Sequence, residues 1–366
     1  MNTKELDLLC IGNALVDIFA GHNGQSFSSL GLDCPAQHIE TEKLLRIISG
    51  LYGAPPPVIT SGGGAANVAK IAGLLKAKVC FTGAIGRDNT NSLSADKYGR
   101  LFEKELAAAG VELKLHPKAS PTGICLYLRA GEETRSAASP SAALELYESD
   151  ISAEDIARSK VVLIDGFMLG RLGLVRHILD SAARNDTIAA IDLSSRAIAG
   201  RHAAEIVDFA KQYRLILFMN EAESEEFCKS LLSRKGAEIA EDAKEPKAES
   251  LPDSTLINLE FFKSLTAGKP FPIIVIKLEA RGAVCFSSGA IQSAETQAVI
   301  PLESTGAGDA FCAGFLTAWT RNQTLSECAD LGNKAARIIL GVTGTQVESE
   351  QFDTEYNTIS SKHDGI

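Results

Sequence analysis

VVLIDGFMLGRLGLVRHILDSAARNDTIAAIDLSSRAIAGRHAAEIVDFAKQYRLILFMN, residues Val161 to Asn220, holds the pattern on which the fold turns. Its runs VVLID (Val161–Asp165), IAAID (Ile188–Asp192) and LILFMN (Leu215–Asn220) are continuously apolar rather than alternating. Strands of that kind are covered by protein on both faces, as in a parallel sheet whose crossover helices lie over each side. IIVIK (Ile273–Lys277) extends the series toward the C-terminus. Toward the N-terminus, Leu6 to Ile11 predicts a first strand running into a loop at Gly12-Asn13. Val58-Ile59-Thr60 then leads through the glycine cluster Ser61 to Gly64 into Ala65–Lys76, whose apolar residues recur at helical spacing. A strand over Lys78–Thr82, a helix over Asn91–Ala109 and a strand over Gly123–Arg129 continue the alternation. The whole predicts an α/β fold, a mostly parallel central sheet covered by helices on both faces.

Two segments break this rhythm. Gly21–Pro57 is irregular apart from a helix around Thr41–Ser49, and Ser120–Leu146 passes from GICLYLR into the polar GEETRSAASPSAALEL. Parts of 13–57 and 120–146 are expected to form a small β sheet outside the main one, a lid that excludes water from a transfer reaction. SRKGAEIAEDAKEPKAESLPD, Ser233–Asp253, is charged, polar and carries prolines. It reads as a surface insertion of about 233–253 within a single domain of residues 1–366.

Composition narrows the function classes. With 36 Lys and Arg against 46 Asp and Glu, the formal charge of −10 repels polyanions and argues against nucleic acid as a partner. A small phosphorylated ligand is still compatible, because glycine-rich turns and helix N-termini bind phosphate through backbone N–H groups. The eight cysteines are scattered singly, with no CxxC and no Cys/His cluster, which predicts buried thiols in a reducing compartment and no structural zinc. Neither a secretory leader nor a membrane-length apolar run is read, so the expected location is the cytoplasm.

The chemistry concentrates in STGAGDAFCAGFLTAW, Ser304–Trp319. Gly306, Ala307 and Gly308 are small enough for backbone N–H groups to converge at the start of the apolar helix Ala310–Trp319, and converging N–H groups form an anion hole. Asp309 beside it can accept the proton of an attacking hydroxyl. A plainer reading makes Asp309 a helix N-cap after a glycine turn; on the motif alone the two stand level. Gly62, Gly63 and Gly64 let backbone approach a ligand ahead of Asn67, or merely form a turn. Asn13 and Asp17 by themselves read as turn or capping residues. Asn220 and Glu223 follow a strand, where open α/β sheets bind ligands, although Glu221, Glu223, Glu225 and Glu226 equally suit a helix N-terminus.

TGAGDAFCAGF resembles the C-terminal signature of the ribokinase (PfkB) family of carbohydrate kinases. SGGGAANVAKIAGL (Ser61–Leu74) with the ensuing VCFTGAIGRD resembles its N-terminal signature, and Asn220-Glu221-Ala222-Glu223 its N-x-x-E motif, all in the family order. With GNALVD (Gly12–Asp17), the resemblance covers nearly the whole chain. It implies a ribokinase-like fold and ATP-dependent phosphorylation of a hydroxymethyl group, with Asp309 as base and Gly306–Gly308 as anion hole. It further implies substrate contacts from Asn13, Asp17, Gly62, Gly63, Gly64 and Asn67. ATP would meet Thr305, Gly306, Gly308, Gly282 and Asn333, while Asn220 and Glu223 would hold Mg2+ and the phosphates, Glu223 through water.

This chain departs from the family pattern at Lys277-Leu278-Glu279, where Thr-x-Gly is usual, so the backbone approach a glycine permits is in question at Glu279. Glu303-Ser304-Thr305 replaces a commoner Asp-Thr-Thr near a place where some members bind a monovalent cation, which leaves potassium activation open. For the acceptor, a sugar and a nucleoside stand nearly level: GNALVDI and the stretch DLSSRAIAGRHAAEIVDFAKQYRLILFMNEAE resemble adenosine-kinase-like members, and Phe19, Phe27 and Phe167 are candidates to stack on a base. A non-catalytic sugar or nucleotide sensor is the reading from another class, and the intact GAGD argues against it. A dinucleotide oxidoreductase fails because the early loop is GNALVD rather than G-x-G-x-x-G. Homodimerisation through lid strands is left open.

Overall fold

The computed structural model describes residues 4–21, 27–51, 56–88, 94–239, 261–347 and 350–352. Its strands are β1 (Leu6–Ile11), β2 (Leu15–Gly21), β3 (Ala36–His38), β4 (Val58–Gly62), β5 (Val79–Gly86), β6 (Glu112–Lys118) and β7 (Gly123–Ala130), followed by β8 (Glu133–Ser139), β9 (Ser159–Asp165), β10 (Ile188–Asp192), β11 (Leu215–Asn220), β12 (Ile273–Lys277), β13 (Ala283–Ser287) and β14 (Ala290–Ala294). Nine of them form one sheet in the order β14-β13-β12-β11-β10-β9-β1-β5-β6. Neighbours from β12 through β6 run parallel, and β13 and β14 extend the edge antiparallel.

The continuous apolar runs are buried on both faces for the reason the sequence suggests. Val161, Leu163, Ile216, Phe218, Ile273 and Val275 join a core beneath the helices Gly64–Leu74, Lys97–Ala108, Ala307–Trp319 and Leu325–Leu340. Their alternating neighbours Val162, Ile164, Leu215, Leu217, Ile274 and Ile276 join a second core, beneath Leu172–Arg184 and Ala203–Gln212. β6, a polar ELKLHPK, was not anticipated: it is an edge strand, which needs no second partner and so tolerates Pro117.

A smaller five-stranded sheet, β3-β8-β7-β2-β4, takes up the irregular segments. β2 follows β1 almost at once and pairs with β7 in parallel, setting Asp17 beside Cys125 and Phe19 beside Tyr127. Val16, Ile18, Ile124, Leu126 and Leu128 face the core, which turns Asp17, Cys125 and Tyr127 to the opposite side.

Several boundaries move. The helix expected over Asn91–Ala109 spans Lys97–Ala108, because Asp96 caps it by accepting from Gly99 N at 2.7 Å; residues 91–93 lie outside the described set. Ser233–Ile239, read as the start of an insertion, continues the helix Glu221–Ile239, and 240–253 lie outside the described residues. The apolar helix expected from Ala310 begins at Ala307.

That last helix packs against Leu325–Leu340 at backbone distance. A Cβ on Gly314 would stand 2.6 Å from Leu331 O, and one on Gly332 2.8 Å from Phe311 O. Both are closer than real Cβ atoms approach, and overpacking a tight core costs about 1–3 kcal/mol. Gly314→Ala is therefore expected to lower the unfolding free energy by about that amount, read from the urea midpoint; an unchanged midpoint would contradict the close helix contact.

Candidate active site

β1 sits where the order of the main sheet reverses, with β9 on one side and β5 on the other. Clefts at the carboxyl ends of strands around such a point are the usual binding places in open α/β sheets. Here the strand ends carry Asn13 just after β1, Asp165 on β9, Asp192 on β10, Asn220 on β11 and Lys277 on β12. All five line one cavity of about 850 Å³. Its other walls are the smaller sheet (Leu15, Asp17, Cys125, Tyr127, Ala138), the starts of the Gly64–Leu74 and Ala307–Trp319 helices, and the turn around Gly282.

The glycine turn before the Ala307–Trp319 helix decides between the two readings of Asp309. Gly306 is the N-cap, at φ 83, a left-handed conformation that glycine adopts without penalty. Asp309 therefore lies inside the first turn and is not the cap. Ala307 N bonds Ser304 O at 3.2 Å, and Gly308 and Asp309 belong to a turn whose N–H groups have no intrahelical acceptors. Asn67 Nδ2 donates to Asp309 Oδ2 at 2.8 Å, joining the two helix starts across the cavity.

Asn67 is held there by local chemistry. Glu105 Oε2, in a partly buried pair with Lys70, accepts from Thr60 Oγ1 at 2.8 Å and from Ser61 N and Ser61 Oγ at 2.9 Å, which pins the chain just before the glycines. The three glycines do different things. A Cβ on Gly62 would fall 2.2 Å from Asp17 Oδ2, and one on Gly63, at φ 98, would fall 2.1 Å from Asn13 O. A side chain at either position would strike protein groups, and of the two Gly63 lines the cavity. Gly64 lies among Asp165, Asp309 and Ser194, its Cβ position 3.4 to 3.8 Å from their side chains.

Electrostatically the cavity is a buried field of carboxyls. Asp17 is 4% exposed, and burial followed by the charges of Asp309 and Glu303 pushes it up to about 8. Burial, then Asp192, pushes Asp309 up to about 7, against the lowering effect of the Asn67 hydrogen bond. Burial pushes Asp165 up to about 6; its Oδ1 is buried with no hydrogen-bond partner. Glu223, buried in the same wall, is raised by burial and by Asp192. It accepts from Asn220 N at 2.9 Å and Asn220 Nδ2 at 3.0 Å, while Asn220 Oδ1 accepts from Glu223 N at 2.8 Å.

The remaining candidates are placed as follows. Asn13 Oδ1 accepts from Arg171 at 3.4 Å. Thr305 donates through N and Oγ1 to Glu303 Oε1 at 2.9 and 2.7 Å, and Glu303 Oε2 is buried without a hydrogen-bond partner. Asn333 lines the cavity but gives its amide to Ala294 O at 3.1 Å. Gly282, at φ 88, is required by Ala294 O, 2.0 Å from where its Cβ would be. Glu279 is exposed and takes φ 53, the conformation in which glycine would be relaxed. Of the aromatic candidates, Phe167 lines the cavity and is 46% exposed. Phe27 is buried in the core, and Phe19 stacks on Tyr127 at 4.7 Å, leaving Tyr127 as the lining ring. Cys125, Tyr127 and Asp165 carry no local motif, and only the strand register brings them here.

Residues 54–351 match the family model described as pfkB family carbohydrate kinase. The chain belongs to that family. It is thus an ATP-dependent kinase with the ribokinase-like fold. It is 25% identical over 362 residues to adenosine kinase 2 of Arabidopsis thaliana, covering 94% of this chain and 97% of that protein. It is 24% identical to an adenosine kinase of Schizophyllum commune, covering 93% and 96%. Its fold matches the crystal structure of a probable sugar kinase protein from Rhizobium etli CFN 42 with a TM-score of 0.78 at 21% identity, covering 97% and 99% of the two chains. An adenosine kinase from Sinorhizobium meliloti superposes with a TM-score of 0.77 at 22% identity, covering 98% and 99%. Among the described residues no helix is long and apolar enough to cross a membrane.

The raised carboxyls make a signed prediction for stability. Asp309 binds its proton more tightly folded, at about 7, than at the ordinary value of 3.8. Its contribution is then most favourable at low pH and is lost as pH rises through that window. Asp309→Asn removes the penalty, so the variant is expected to melt above wild type at pH 8, with the gap closing as pH falls below about 7. Thermal melts across pH 5 to 8 check this; a wild-type melting temperature at pH 8 would refute it.

Proposed function

We propose that the kinase phosphorylates the hydroxymethyl group of an adenosine-like nucleoside. The observation that carries this is one cavity lined both by the smaller sheet, with Leu15, Asp17, Cys125 and Tyr127, and by the glycine turn with Asp309, to which Asn67 is bonded. One part of the lining is apolar, from Leu15, Cys125, Tyr127, Ala138 and Phe167, and suits a purine base. The other is the glycine turn and Asp309. Asp17 and Asn67 then meet the hydroxyls of a sugar held between, and the Gly64 backbone lies alongside. The curated relatives named as adenosine kinases lend the same support.

In this reading the acceptor hydroxyl oxygen bonds to the γ-phosphorus of ATP as the bond from that phosphorus to the β–γ bridging oxygen breaks. ADP leaves, and the hydroxyl proton passes to Asp309. The backbone N–H groups of the Gly306–Asp309 turn stabilise the charge on the transferring group, as an oxyanion hole does. A carboxyl poised at about 7 is well matched to this work near neutral pH. Thr305, Gly282 and Asn333 shape the nucleotide side of the cavity.

No cluster of three or more acidic, His or Cys side chains among the described residues could cage a metal. The buried Glu223 and its half-buried partner Asn220 would instead hold Mg2+ together with phosphate and water. Such an ion offsets phosphate charge when bound. The orphaned buried Glu303 Oε2 supports a monovalent cation beside the same turn, hence stimulation by potassium. The smaller sheet acts as a lid, since its Asp17, Cys125 and Tyr127 form the roof over the acceptor.

The test is ATP consumption with Mg2+ against nucleosides, hexoses, ketoses, ribose and phosphosugars. Turnover with adenosine is expected, falling by about 10²- to 10⁴-fold in Asp309→Asn. Turnover confined to a free sugar would overturn the nucleoside assignment while leaving the kinase chemistry intact. Because the base works ionised, kcat/KM is expected to fall about tenfold per pH unit below about 7. A flat profile from pH 5 to 8 would remove Asp309 from that role.

A further inference from the structure

Lys277 stands at the carboxyl end of β12, and its side chain reaches past β11 to Asp192 at the end of β10. Nζ lies 2.9 Å from Asp192 Oδ1 and 3.0 Å from Oδ2, with the two side chains only 13% and 6% exposed. The same ammonium borders the glycine turn, for a Cβ placed on Gly308 would come 3.3 Å from Nζ. Cys312 Sγ is 3.8 Å away, one turn further along the same helix. Lys277 therefore occupies the wall of the cavity at the start of the helix that carries Asp309.

Stability alone is a poor explanation for this pair. Removing a lysine and an aspartate from water costs nearly as much as their attraction returns, and apolar residues of like volume often serve equally well. Charge offers a better one. The surrounding wall is built from the buried Asp165, Asp192 and Glu223 and the half-buried Asp309, into which the reaction brings a polyphosphate. A field of carboxylates repels that ligand unless fixed positive charge stands where the phosphate arrives. Lys277 is fixed by Asp192 at that place, in the segment where this chain departs from Thr-x-Gly.

We propose that Lys277 is a catalytic residue, its ammonium bearing on the transferring phosphoryl group at Gly308 while Asp192 holds it in position. The ammonium keeps its protons throughout and forms no bond to phosphorus; its contribution is electrostatic. This rests on the reading of the Gly306–Gly308 turn as the anion hole and Asp309 as the base.

Lys277→Met alone would leave Asp192 unpaired and confound the result, so the test is the charge-balanced Lys277→Met/Asp192→Asn double variant beside Asp309→Asn and wild type. Folding is checked by melting temperature, and kcat and KM are measured for ATP and the acceptor. The double variant is expected to lose about 10²- to 10³-fold in kcat, the usual effect of deleting one charge-stabilising donor, with the acceptor KM little changed. A kcat near wild type would overturn the proposal, showing that Lys277 only neutralises Asp192. Wild-type turnover in Asp309→Asn would instead bring down the underlying reading of the turn, and the two failures are thereby distinguished. Should the double variant not fold, Lys277→Arg is compared with Lys277→Gln at matched melting temperature. A tenfold or greater advantage in kcat for arginine supports the assignment, and equal kcat overturns it.

Discussion

The hydrogen bond from Asn67 Nδ2 to Asp309 Oδ2, 2.8 Å long and spanning 242 positions of sequence, ties together what the rest of the structure arranges. It joins the first turns of two helices that cover the same face of the main sheet. For those starts to meet, β4 must deliver the glycines beside β1 and the last helices must pack at backbone distance. The Glu105 contacts with Thr60, Ser61 and Lys70 secure the first condition. Gly314 and Gly332 secure the second, through approaches no larger residue allows.

Building a phosphotransfer site here carries an electrostatic cost. Asp17, Asp165 and Asp309 are withdrawn from water, and Asp17 and Asp309 also face neighbouring carboxylates, so each holds its proton more tightly than a free carboxyl. On the proposed reading of Asp309 as base, the cost serves function, since a base working near neutrality needs such a shift. Lys277 and the Asn67 amide are the local counterweights to Asp309. Burial by itself would lower Lys277, but Asp192 outweighs it and keeps the ammonium charged. A site of this kind trades stability for reactivity at identifiable residues.

Glycine serves several purposes in the same few motifs. Gly306 adopts a left-handed turn, Gly62 clears space for the Asp17 carboxyl, Gly63 clears it for a carbonyl, and Gly282 for the backbone of β14. A glycine signature in sequence therefore need not mean direct ligand contact. Glu279 is the converse case, a side chain occupying a left-handed position on the exposed rim of the cavity.

Sequence alone determined the strands VVLID, IAAID, LILFMN and IIVIK and the sheet they build, because covering a strand on both faces leaves a local, continuous apolar record. It likewise marked the glycine turn before Asp309, the Asn67 helix and the Asn220–Glu223 pair, where chemistry is compressed into a few neighbouring residues. It could not show whether Asp309 caps its helix, because that turns on whether the helix begins after Gly306 or three residues later. Nor could it show that Tyr127 faces the cavity, which depends on how β7 pairs with β2. Lys277 meeting Asp192 across 85 residues, with its ammonium beside Gly308, is decided only by the assembled fold. Apolar periodicity is written along the chain, whereas the field inside a site depends on distances that exist only once the sheet is assembled.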